Sequence, residues 1–71
     1  MTSTATVGHR IKALRAKRRL TVRQLATASG VAPSTITRIE TGERQPLLVH
    51  LERLAVGLRC SARDLIPPRA A

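Results

Sequence analysis

The 71-residue chain contains no phenylalanine, tyrosine or tryptophan. Its core must therefore be assembled from Leu, Ile, Val and Ala. That favours packed helices over sheets, which draw on aromatic and β-branched residues, and no long alternating run of apolar and polar residues marks a strand. Single-stranded RNA binding by base stacking is disfavoured for the same reason. Cysteine is almost absent too: Cys60 stands alone, so no internal disulfide can form and a disulfide-stapled secreted module is excluded. There is neither a charged-then-apolar leader nor a long apolar span, so a cytoplasmic protein is expected, without secretory signal or membrane helix. His9 and His50 are too isolated to suggest a metal cluster. Cys60 reads as a small buried hydrophobe rather than a nucleophile, and Asp64, the only aspartate, reads as a helix-start residue. No enzyme, metal or cofactor is expected.

Acid is the other scarcity. Four Asp/Glu stand against thirteen Lys/Arg, for a formal net charge of +9. The distribution is more informative than the sum. Residues 1–23 hold Arg10, Lys12, Arg15, Lys17, Arg18, Arg19 and Arg23 and no acid at all. A field so lopsided favours a polyanion on one side of the molecule. The competing explanation, a solvated arginine-rich surface, does not account for the exclusion of acids from the first third. A basic helix lying on an anionic membrane is poorly supported, because the first helix has no strong apolar counter-face and no aromatic anchor.

Along the chain, residues 1–6 are small and polar, and a flexible N-terminus is expected there. Val7, Ile11 and Leu14 then recur at helical spacing in a first helix over His9 to Arg19. Leu20 is expected to tuck inward before Thr21. A second helix spans about Val22 to Ala28 and a third about Pro33 to Thr41, with Gly42 as C-cap. The stripe Leu48, Leu51, Leu54, Ala55 and Leu58 marks a fourth helix. Ser61 can cap a short fifth, whose Leu65 and Ile66 close the core before Pro67 and Pro68 stop it. Residues 7–66 thus form one domain and 67–71 a tail.

The segment Thr21 to Gly42, TVRQLATASGVAPSTITRIETG, carries the most information. Thr21 and Gln24 have capping-box spacing. Gly30 supplies the positive φ of a sharp turn, Pro33 stands where a first-turn proline is tolerated, and Ile36 and Ile39 share a helical face. This spacing resembles the helix-turn-helix of the lambda-repressor/Cro-like (XRE-type) regulators. Four further matches follow in order: Glu40-Thr41-Gly42 after the third helix, the basic loop and proline Arg44-Gln45-Pro46, the leucine-rich Leu48 to Leu58, and Ser61 to Leu65. The sequence departs from the family pattern at Ala32, where a polar N-cap is usual, at Ser29, more often aliphatic, and at Arg59, commonly glycine.

The resemblance implies an all-α, five-helix lambda-repressor-like domain that binds double-stranded DNA as a transcriptional regulator, with the third helix in the major groove. It also implies a structural ion pair between Arg15 and Glu40. With Ile36 and Ile39 turned inward, Pro33, Ser34, Thr37 and Arg38 are the candidates for base contact, Arg38 through a bidentate bond to guanine O6 and N7. A phosphate contact or a solvated charge is the competing role for Arg38, and simple capping competes for Ser34 and Thr35. Arg10, Arg23, Gln24, Thr35 and Arg44 are the candidates for phosphate contact, helped by N–H groups at the start of the second helix. A homodimer on a palindromic operator is expected, with Leu47, Val49, Val56 and Ile66 as candidate surface. The alternative is a protein-interaction module, antitoxin-like for example, with the same fold and only non-specific DNA affinity.

Overall fold

The computed structural model describes residues 4–66. They form four α-helices, α1 (Thr4–Lys17), α2 (Val22–Ser29), α3 (Pro33–Glu40) and α4 (Leu48–Leu58), followed by a single 3-10 turn, Ala62–Leu65. No strand occurs among the described residues, as the absence of aromatics implied. The expected fifth helix is thus only this 3-10 turn. Ser61 does cap it, accepting from the Arg63 N–H while Asp64 accepts from the Ser61 N–H, but the chain turns extended at Ile66 before a second turn can form.

Ile11, Leu25, Ile36, Ile39, Leu54, Leu58 and Leu65 are fully buried and form one core, joined by Val31, Leu51 and Ala55. Each helix contributes from one face, so α2 packs on α4 and α1 on α3. Two expected core residues lie outside it. Ile66 is half exposed, and Leu48 is 67% exposed. Leu48 lies within about 20° of buried Ala55 around the helix axis, so its exposure comes from its place in the first turn, not its angle.

The first helix also differs from expectation at both ends. It begins at Thr4, inside the segment expected to fray, because adding residues to a formed helix is cheap once Val7 and Ile11 anchor it. Residues 1–3 and the tail from Pro67 lie outside the described residues. It ends at Lys17 in a Schellman motif: Leu20 N–H donates to the Arg15 carbonyl and Arg19 N–H to that of Ala16, with Arg19 at φ 58°. The same motif closes α4, where Cys60 N–H donates to Ala55 and Arg59 N–H to Val56, with Arg59 also at φ 58°. Both left-handed positions are filled by arginine, so no glycine marks either helix end in the sequence.

Candidate nucleic-acid interface

The site is built on α2, its turn and α3. Thr21 starts α2 with the complete capping box: its Oγ1 accepts from the Gln24 N–H at 3.0 Å, and Gln24 Oε1 accepts from the Thr21 N–H at 2.8 Å. The N–H groups of Val22 and Arg23 have no intrahelical acceptor, as in any first turn. Gly30, at φ 76°, ends the helix with its N–H on the Ala26 carbonyl at 2.8 Å. Buried Ser29 accepts from the Val31 N–H through Oγ at 3.2 Å, so this polar departure from the family pattern serves the turn itself. Ala32 precedes α3 and makes no side-chain cap bond, which forgoes about 1 kcal/mol against Ser or Asp.

On α3 the division of faces is complete. Ile36 and Ile39 are fully buried, whereas Pro33, Ser34, Thr37 and Arg38 are all exposed. Thr35 is half-buried beside Ile36, at the edge of the exposed face. Arg23, Thr27 and Pro33 line one shallow depression across the turn, which joins the start of α2 to the head of α3 on a single surface. Gln24 is exposed, but its carbonyl oxygen is committed to the cap, leaving only its NH2 free. Arg44 is exposed beyond α3, held there by its own N–H on the Arg38 carbonyl at 3.1 Å.

Arg10 is not brought to this surface. Its Nε donates to the Asp64 carbonyl at 3.0 Å, on the side of α1 that faces the 3-10 turn. The opposite side of α1 meets α3. Arg10 follows buried Gly8 by two residues, roughly 200° around the helix, and a Cβ at Gly8 would collide with the Ile39 carbonyl oxygen and lie 3.0 Å from that of Glu40. Gly8 therefore permits the close approach of α1 to α3, a requirement that sequence reasoning missed. Its only signal was a glycine inside an otherwise helical pattern.

Arg15 lies on the α3 side and is paired as expected. Its Nε donates to Glu40 Oε2 at 2.7 Å, its Nη2 to Oε1 at 3.1 Å and its Nη1 to the Leu20 carbonyl at 2.8 Å. The pair is 16% and 6% exposed, and the Glu40 hydrogen bond holds the guanidinium above its ordinary pKa. One side chain thereby ties α1, the α1–α2 link and α3 together. Arg38 is also paired, which the sequence reading did not foresee: its Nε lies 3.3 Å from Glu43 Oε2, but both side chains face solvent. Cys60 is half-buried against the core, and burial, then Asp64, push its thiol pKa up against an opposing pull from Arg18. That environment suits a packing residue, not a thiolate. Among the described residues no group of three or more His, Cys, Asp or Glu could hold a metal, and no helix is long and apolar enough to cross a membrane.

Residues 11–65 match the helix-turn-helix family. The chain is 47% identical over 60 residues to the HTH-type transcriptional repressor RghR of Bacillus subtilis, a match covering 83% of this chain and 44% of that protein. It thus spans less than half the length of the curated relatives it matches. Among solved structures, it superposes on the restriction-modification controller protein C.AhdI from Aeromonas hydrophila with a TM-score of 0.85 and 32% identity, covering 89% of this chain and 96% of that one. It is similar also to the biofilm master regulator SinR solved in complex with DNA, with a TM-score of 0.78 and 32% identity over 83% of this chain and 95% of that one. With its buried Ile36 and Ile39, its Gly30 turn and its Arg15–Glu40 clamp, the chain belongs to the lambda-repressor/Cro-like (XRE-type) helix-turn-helix family.

Proposed function

We propose that the chain binds double-stranded DNA sequence-specifically and regulates transcription from the bound site. The observation that carries this reading is the exposed face of α3: Pro33, Ser34, Thr37 and Arg38 stand clear of the described chain on a helix fixed from behind by two fully buried isoleucines. Short side chains let the helix enter the major groove closely, and Arg38 is long enough to reach a guanine edge. The N–H groups that open α2, with Arg23 and Gln24, hold a phosphate on one flank, and Arg44 with Thr35 holds backbone on the other. The basic excess supplies the long-range attraction. The similarity to RghR, named a transcriptional repressor, and to SinR, solved with DNA, supports the same reading. Such a protein works at the nucleoid, in the cytoplasm.

One domain of this size covers few base pairs, and we propose that it acts as a homodimer on a palindromic site, with half-sites roughly one helical turn apart. Leu47, Leu48, Val49, Val56 and Ile66 are exposed apolar residues around α4 and the chain beyond the 3-10 turn, and they offer the self-complementary surface. Selection from a random duplex library tests both statements. The expected result is an enriched palindrome, bound with an affinity that falls steeply with salt; salt-sensitive binding with no enriched sequence would reduce the protein to a charge-driven binder, and a log–log salt slope near zero would exclude phosphate clamping.

A further inference from the structure

Arg38 and Glu43 are 60% and 68% exposed, yet Arg38 Nε lies 3.3 Å from Glu43 Oε2. The backbone brings them together. After α3 the chain folds back on its own last turn, reversing at Gly42 with φ 81°. Gly42 N–H donates to the Ile39 carbonyl at 3.1 Å, Arg44 N–H to the Arg38 carbonyl at 3.1 Å, and Thr41 Oγ1 to the same Arg38 carbonyl at 3.2 Å. Glu43 is therefore flanked on both sides by residues anchored to the last turn of α3. These backbone bonds place Glu43 beside the last turn of α3, within reach of Arg38.

The consequence lies in which edge of the guanidinium remains. The group is a planar fork of five N–H donors. Glu43 approaches from the Nε edge of the group, and among the described residues no hydrogen bond occupies Nη1 or Nη2, whose two parallel N–H donors match O6 and N7 of guanine. An arginine without such a partner samples many rotamers and must lose them on binding. We propose that Glu43 is a specificity-determining positioning residue, which holds Arg38 so that its terminal nitrogens meet one guanine edge. This inference rests on the reading of Arg38 as a base-contacting residue. Glu43 has a second effect of opposite sign, because a carboxylate beside DNA phosphates weakens binding to every sequence alike. The two effects separate cleanly: positioning changes the ratio between right and wrong base, and repulsion changes only overall affinity.

The test uses the whole chain, the DNA site it selects, and the same site with the Arg38-dependent guanine pair replaced. Glu43→Ala removes acceptor and charge; Glu43→Gln removes the charge but keeps an acceptor oxygen at the same reach. Both variants should bind unrelated DNA more tightly at low salt, an advantage that shrinks as salt rises. Glu43→Ala should lower discrimination at the guanine pair about fivefold or more, within the range a bidentate contact supplies, and Glu43→Gln should lower it less. In an Arg38→Ala background, Glu43→Ala should leave discrimination unchanged. Tighter binding to every sequence with an unaltered ratio would overturn the inference, as would an equal loss of discrimination without Arg38. Should the wild-type chain select no sequence, the DNA-reading proposal itself fails. Should it select one that depends on Arg38 but not on Glu43, only the positioning role fails.

Discussion

The two faces of α3 each carry an arginine–glutamate pair, and the pairs do opposite work. On the inward side Arg15 and Glu40 are largely buried, with two N–H donors meeting two carboxylate oxygens and a third bond going to the Leu20 carbonyl. On the outward side Arg38 and Glu43 are exposed and share one longer contact. Chemically the pairs are alike; burial decides their roles. A buried pair cannot be broken without leaving a charge uncompensated, whereas an exposed pair adds little to stability and can exchange partners. The inward pair fixes where α3 sits, and the outward pair is available to a ligand.

Mutations at the two faces should therefore divide sharply between stability and binding. The largest loss of stability is expected at Gly8→Ala, because the new methyl meets backbone carbonyls that cannot rotate aside. About 3 kcal/mol or more should disappear from the unfolding free energy in urea, and a fall below 1 kcal/mol would mean that α1 shifts freely on α3. Arg15→Ala should cost nearly as much, about 2–3 kcal/mol, since it strands Glu40 in the interior. A double variant with Glu40→Ala should lose much less than the sum of the two single losses. Additive losses would show that the pair is not coupled. Arg59→Gly should move the other way, stabilising by about 1 kcal/mol through relief of the left-handed backbone at the end of α4. A lower melting temperature for this variant would show that the arginine side chain there offsets its strain.

What was legible in the sequence was local or periodic. The Thr21–Gln24 cap lies within one turn, the Gly30 turn within three residues, and the burial of Ile36 and Ile39 follows from helical spacing. The order of the helices followed from the same spacing and caps, and the Arg15–Glu40 pair came through the family resemblance. What stayed hidden depends on neighbours distant in the chain. Gly8 precedes the expected first helix and carries no role in the sequence; only the fold shows α3 pressed against it. Leu48 has the correct angle for the core, but no described residue covers it at the first turn of α4, where it is exposed. Arg10 is a candidate for phosphate contact by its sequence, and only the fold assigns it to the 3-10 turn rather than the α3 side. Glu43 lies in a loop whose return onto α3 is made by backbone bonds, to which side-chain identity gives little clue. Arg19 hides the end of the first helix, which glycine would have announced, whereas the leucine stripe alone located the end of α4 at Leu58.

The central claim is that the outward face of α3 reads base sequence, and Arg38 is its longest probe. The most direct measurement compares wild type and Arg38→Ala by titration on the selected site and on every single-base substitution of it. The folded stability of the two proteins should agree within about 0.5 kcal/mol, as expected for an exposed position. Arg38→Ala should lose about 1–3 kcal/mol on the intact site and become indifferent to one base pair in each half-site, with the other preferences kept. An equal loss on every sequence, or no loss on any, would contradict the account.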